Sequence, residues 1–331
     1  IDALRRLLVY HPSNSATTHF LAYAERHDKD VAIALRKKLA QSDPSAANQR
    51  ALCRLLIETG KIEQATDVLA NLLGHDGATI ENLFVAAQLE RRRGNPEAGR
   101  KLLDNKLISQ GENATLQEWM LYARYLRSIA HPECANAYLQ AASLAQDENT
   151  TLLQEVIDYL TIAGKASEAL PLARRLVKTA PTPENRRRLI RLLAATDHIK
   201  EAQSKLAALK KQTPDSIHIA ILDAEMALRE GEYRSALRAA NRAVSLDPEH
   251  AGAHVARARV RRQSPAENDT RRHAIQEDLV RAIELDSGNW QARELLWQIY
   301  EEQGAIEQAL TTLDGLIQLR PHHPMYRDAD G

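Results

Sequence analysis

Twelve histidines, two cysteines, and 44 Lys and Arg set against 44 Asp and Glu are the raw material for chemistry in this chain of 331 residues. Their spacing decides what they can do. His250 and His254 stand four apart, a separation at which two imidazoles on one helix could hold zinc. Pro248 marks a boundary just before them, and Ala251 fills the place where a metalloprotease helix carries its glutamate, so surface histidines are expected instead. His322-His323-Pro324 falls in the tail. Gly60-Lys61 and Gly164-Lys165 suggest a phosphate-cradling loop, but Leu55 and Tyr159 stand where its upstream glycine is needed, and no strand pattern leads in. Cys53 and Cys134 lie in different helical segments without a CxxC spacing, which reads as two buried structural thiols. Adjacent acids such as Glu301-Glu302 point in different directions on a helix and form no carboxylate dyad. No Ser, Cys or Lys carries the flanking motif of a nucleophile. The expectation is no intrinsic enzymatic activity, no catalytic residue, no metal and no cofactor.

What remains is arginine. Arg50 with Arg54, and Arg187 with Arg191, are four apart, which puts each pair on one side of a helix. Guanidinium groups so placed can grip carboxylates or phosphates through two parallel hydrogen bonds. The excess of Arg over Lys, with no Lys beyond Lys211, fits a GC-rich coding sequence. Formal net charge is zero, so no global field draws in nucleic acid.

The elements that must position these side chains follow from a recurring phrase. A glycine followed five residues later by alanine occurs at Gly60/Ala65, Gly164/Ala169, Gly231/Ala236 and Gly304/Ala309, with a period of about 34 residues. Each copy reads as a helix end, a tight turn and a helix start. Prolines close the second helix at Pro44, Pro181, Pro214, Pro248 and Pro321. Aromatics make up 4% of the chain and strand-forming runs are missing, so Ala and Leu build an all-α interior. Apolar residues recur at three- and four-residue spacing, as in Leu52, Leu55 and Leu56, or Leu170, Ala173, Leu176 and Val177. A lone hairpin cannot bury both of its apolar stripes, so neighbours must stack.

Register on the turn and the alanine gives units over 13–45, 46–79, 80–115, 116–149, 150–182, 183–216, 217–250, 251–289 and 290–323, preceded by a half-unit over 1–12. The third and fourth slip by a residue or two, and the eighth carries an insertion from Gln263 to Thr270. The array should fill 1–323, with a C-terminal tail or linker over 324–331. No apolar run reaches transmembrane length and no signal peptide opens the chain. Residues 1–12 read as a second helix without its partner, as if cut from a longer protein.

This pattern resembles the tetratricopeptide repeat (TPR), through the closing prolines and the small residue near the start of the second helix: Ala32, Ala65, Ala98, Ala135, Ala169, Ala202, Ala236 and Ala309. The unit over 217–250 is the nearest to it. Departures are Phe20, Ile157, Ile190 and Trp297, where the first helix should carry a small residue, and Trp119 as the one surviving aromatic near that helix's start. The resemblance implies a right-handed superhelical solenoid of stacked antiparallel helix–turn–helix repeats, with ligands held on the concave face lined by first helices. Carried over position by position, that face holds Arg50, Arg54, Phe84, Arg91, Arg124, Arg127, Arg187, Arg191, Arg259 and Arg262, with Met120 also inward. Glu81, Asp158, Glu184 and Glu225 are interleaved, and Glu294 and Glu301 make the last unit acidic. The Lys and Asn clamp by which some TPR proteins grip a peptide C-terminus is not reproduced, since Asn14 stands alone.

The resemblance implies a non-catalytic protein–protein interaction scaffold whose groove holds a protein or peptide partner with an acidic segment, within a bacterial envelope, secretion or exopolysaccharide-export assembly. Two alternatives stay open. One is direct binding of an acidic polysaccharide or RNA along the arginines, with nucleic acid disfavoured because the stripe has almost no aromatics for stacking. The other is a regulatory segment of a larger enzyme or transporter. A soluble segment in bacterial periplasm or cytoplasm suits each.

Overall fold

The computed structural model describes residues 15–263 and 269–319. The half-unit over 1–12, Asn14, the Phe20 side chain, most of the Gln263–Thr270 insertion and the tail lie outside them. Among the described residues are eighteen α-helices and no strand. They fall into two compact units, residues 1–144 and 145–331. In the first, hairpins form from α1 (Ser15–His27) and α2 (Lys29–Ser42), α3 (Ala46–Glu58) and α4 (Ile62–Asp76), α5 (Ile80–Arg92) and α6 (Pro96–Gln110), then α7 (Leu116–Ser128) and α8 (Cys134–Leu144). In the second they form from α9 (Thr150–Ile162) and α10 (Ala166–Thr179), α11 (Pro183–Ala195) and α12 (Ile199–Gln212), α13 (Ile217–Arg229) and α14 (Tyr233–Leu246), α15 (Ala251–Gln263) and α16 (Asp269–Leu285), then α17 (Trp290–Glu302) and α18 (Ile306–Leu319). Each unit is an all-α helical repeat solenoid.

One backbone device makes the hairpin corners. Gly60, Gly94, Ala130, Gly164, Asp197, Gly231 and Gly304 all have positive φ. The amide after each donates to the carbonyl five residues back, as in Lys61→Leu56 at 2.9 Å, His131→Leu126 at 2.9 Å and His198→Leu193 at 2.8 Å. That is the six-to-one bond of a Schellman helix end, which turns the chain while satisfying a carbonyl left over by the first helix. Glycine takes the left-handed corner without a Cβ penalty; Ala130 and Asp197 show that the surrounding contacts impose it on other residues.

Five residues after each corner comes the close approach of the two helices. Ala65, Ala169, Ala202 and Ala236 are fully buried there. In the unit over 80–115 the residue is Gly99, not Ala98, which is exposed. A Cβ at Gly99 would come within 2.7 Å of the Ala87 carbonyl and against the Tyr125 hydroxyl, so this crossing accepts only hydrogen. The phrase is therefore glycine or its substitute followed by any small residue, and Gly94/Gly99 is a copy with glycine at both ends.

Three first helices, α5, α7 and α11, start on threonine caps. Thr79, Thr115 and Thr182 each accept from the backbone N–H three residues on, and Glu118 completes a capping box with Thr115. Behind the caps, Asn82, Glu118 and Asn185 are buried at the third helical position. Cys53 and Cys134 are fully buried, and each thiol donates to a carbonyl of the neighbouring helix, Ala65 and Ala123, at 3.4 Å. Burial pushes the Cys53 thiol up to about 12, which leaves it inert.

Candidate interaction surface

In the unit over 1–144, α3, α5 and α7 lie side by side. Arg50 of α3 donates to Asn82 Oδ1 of α5 at 3.0 Å, and its guanidinium lies 3.7 Å from Asp76. Asn82 is placed by the Thr79 cap, and its amide donates to Asp76 and to the Gly77 carbonyl, both at 2.9 Å. One turn beyond Arg50, the Arg54 guanidinium sits over the Phe84 ring, 5.9 Å from its centroid. Burial, and then the charge of Arg50, hold Arg54 below the ordinary arginine range. Among the described residues no carboxylate pairs with Arg54. Phe84 is half-buried. Arg91 is exposed and donates to the Ser128 carbonyl of α7 at 3.2 Å, and Gln117 of α7 reaches back to Glu81 at 2.7 Å. Arg124 and Arg127 are exposed on α7. Met120, expected to face inward, is instead buried in the core.

In the unit over 145–331 Arg187, Arg191 and Arg262, at positions equivalent to those of Arg50, Arg54 and Arg91, are acid-paired, and so is Arg188 beside them. Arg188 of α11 makes a two-point contact with Asp158 of α9 at 2.8 and 3.1 Å, and approaches Glu184 at 3.3 Å. Arg187 also pairs with Glu184. Burial alone would raise the Glu184 carboxyl, but the Arg187 hydrogen bond and the charges of Arg187, Arg188 and Arg191 hold it below its usual range. Arg191 reaches Glu225 of α13 at 2.9 Å. Behind them Asn185 repeats the part of Asn82: it accepts from Gln154 of α9 at 3.0 Å and donates to the Ala180 carbonyl at 2.9 Å. Arg262 of α15 is held by Gln298 and Glu302 of α17 at 2.6 and 2.7 Å. Arg259 is half-buried and has no ion pair among the described residues.

Sequence reasoning missed two clusters here. His254 is buried, not a surface histidine: its ring nitrogens face Asp278 Oδ1 at 3.1 Å and the Pro248 carbonyl at 2.9 Å. Asp278, 2% exposed, also accepts from Arg257 and from Arg261, the latter at 2.6 Å, so one buried carboxylate on α16 clamps three basic groups of α15. The second cluster is His218 against His250, with ring centroids 5.2 Å apart beside the α11 arginines. Burial, and then the charges of Arg187 and His250, push His218 below its ordinary value. Only the acid at one-repeat distance from an arginine, such as Glu225 after Arg191, offered a signal in the sequence.

Among the described residues no group of three His, Cys, Asp or Glu is arranged to hold a metal, and no helix is long and apolar enough to cross a membrane. No family model and no curated protein matches the chain. Solved structures do resemble it. A thermophilic TPR protein of Thermus thermophilus is 20% identical over 56% of this chain and 96% of its own, with a TM-score of 0.47. Yeast Tom70 is 12% identical over 99% of this chain and 89% of its own, with a TM-score of 0.44. The APC/C hetero-tetramer Cut9-Hcn1 is 13% identical over 96% and 75%, with a TM-score of 0.48. The chain resembles tetratricopeptide proteins, and its period, its corners and its small-residue crossings carry that resemblance residue by residue.

Proposed function

We propose that this chain is a protein-binding scaffold that holds a partner segment on the first helices of residues 46–128. Arg54, Phe84 and Arg91 make the contacts, and Arg124 and Arg127 flank them. One observation carries the reading: a guanidinium with no carboxylate stacks on a half-buried aromatic ring. A partner residue pair of one acid and one apolar side chain supplies both of the interactions this spot lacks. Arg187 and Arg191 already hold carboxylates, so an acidic ligand there would have to displace an existing ion pair. A protein segment suits the unit better than an acidic polysaccharide or RNA, because the aromatic is single and offers no run of stacking platforms.

Fluorescence anisotropy tests this with four labelled probes: a peptide alternating Glu and Phe, polyglutamate, an alginate oligosaccharide and single-stranded RNA. The Glu/Phe peptide is expected to bind tightest. Arg54→Glu with Arg91→Glu should abolish that binding, and Arg187→Glu with Arg191→Glu should leave it within about twofold. Loss on the second double variant alone, or tighter binding of any of the other three probes, overturns the reading.

A further inference from the structure

We infer that the same unit carries a second, chemically opposite docking groove on its second helices, which takes the apolar side of a basic amphipathic helix from a protein partner. α6 and α8 form its walls and α7 its floor. The cavity between them holds about 460 Å³, within the range of about 300–1,000 Å³ typical of ligand pockets. Its floor is Trp119 set edge-on to Tyr122, with centroids 6.2 Å apart, and Ala137 and Leu107 complete the apolar lining. At its lip stands Ile108, 77% exposed, the most exposed large apolar side chain among the described residues. Tyr122 is fixed: its hydroxyl donates to Asp104, which Arg100 also holds.

Charge selects the occupant. Apart from the Tyr122 phenol, the ionisable side chains lining this cavity are carboxylates, Asp104, which Arg100 already compensates, and Glu133, which supplies the open charge, and no Lys or Arg lines it. Glu133 is 61% exposed, and among the described residues its ion-pair neighbour is His131 at 3.9 Å. The groove at the corresponding place between α12 and α14, floored by Met226, is lined by Lys210, Arg238 and Arg242 as well as Asp223, Glu230 and Glu232. Neither an aromatic floor nor an acids-only rim is thus a general product of the repeat. An aliphatic side chain against Trp119 and Ile108, with Lys or Arg one turn away facing Glu133, satisfies both features; helices bind grooves through such spaced anchors.

The test uses the full chain and two synthetic amphipathic helices with the same Leu face, one with Lys and one with Glu on the polar face. Calorimetry on the unaltered chain should show saturable binding of the Lys helix and at least tenfold weaker binding of the Glu helix. A variant with Trp290→Phe and Trp297→Phe leaves Trp119 as the only tryptophan, and its emission should shift on binding. Ile108→Ser should weaken the Lys helix by about tenfold, and Glu133→Lys should invert the preference between the two helices. Both substituted residues are exposed, so these variants keep the fold, and Arg54→Glu with Arg91→Glu should change nothing here. Equal affinity for the two helices, a silent Trp119, or indifference to both groove substitutions overturns the proposal.

Discussion

In the unit over 1–144, Arg54 stacks on Phe84 and Arg91 donates to the Ser128 carbonyl, so two guanidinium charges end on groups that do not cancel them. In the unit over 145–331, Arg188 and Arg191 each reach across to a neighbouring first helix and end on a carboxylate, Asp158 and Glu225. Arg54 and Arg191 occupy the same position of their first helices. What differs is whether the next repeat supplies an acid. Arginine frequency along a solenoid therefore says little about surface potential. A paired guanidinium ties repeats together, and an unpaired one leaves a positive spot that a ligand can fill.

The most severe way to break this contrast is to strip the acid from a paired cluster. Asp278 is 3% exposed by side chain, neutralises Arg257 and Arg261 and lies against the His254 ring. Asp278→Ala leaves these groups uncompensated in a partly buried site and should destabilise the unit over 145–331 by about 3 kcal/mol. Urea unfolding in a Trp119→Phe background, where Trp290 and Trp297 emission reports that unit alone, measures it. Adding Arg257→Met should return a good part of the loss. A change under about 1 kcal/mol would mean that the paired arginines do not hold the hairpins together.

The next test compares the two stripes directly. Arg188 is 21% exposed and holds Asp158 and Glu184. Arg188→Gln should cost roughly 0.2–1 kcal/mol, the range of an ion pair in contact with water. Arg54→Gln should leave stability unchanged or slightly raised, because its charge is opposed by burial and by Arg50 and is repaid by no acid. Equal losses in the same urea experiment, followed for Arg54 by Trp119 emission in the Trp290→Phe, Trp297→Phe background, would erase the distinction between the units.

How much of this was open to a reader of the sequence follows from the range of each interaction. Corners and crossings are local, so Gly60/Ala65 and Gly164/Ala169 gave the hairpins directly. An alanine pattern points to Ala98, but Gly94 lies at the same five-residue distance from Gly99 as Gly60 from Ala65, and Gly99 is the buried residue of that crossing. Asn82 and Asn185 follow threonine caps by three residues, a signal present in the sequence but masked by their resemblance to ordinary polar helix residues. The compensation of the arginines is another matter. Arg191 meets Glu225 only because successive first helices lie side by side, and Arg188 meets Asp158 in the opposite direction. The choice among several acids about one repeat away rests on side-chain packing, which the pattern of residue types does not contain.

The smallest expected effect concerns acid, and it probes the crowding of positive charge beside α11. His218 is pushed below the ordinary histidine value of 6.5 by burial, then by Arg187 and His250, with Arg191 adding to this and Glu184 opposing it. Its folded form thus takes up a proton less readily than the unfolded chain does. The unfolded state therefore binds more protons once pH falls below about 6.5, and stability declines through the interval down to the depressed folded value. Above that interval the contribution of His218 is fully present. Urea midpoints measured from pH 8 to pH 5 should fall at the acid end, and His218→Gln should flatten that fall. An unchanged slope in the variant would place the acid sensitivity elsewhere. A slope of opposite sign would mean that Glu184 outweighs the guanidinium groups, and that the ion-paired stripe is locally acidic where His218 meets it.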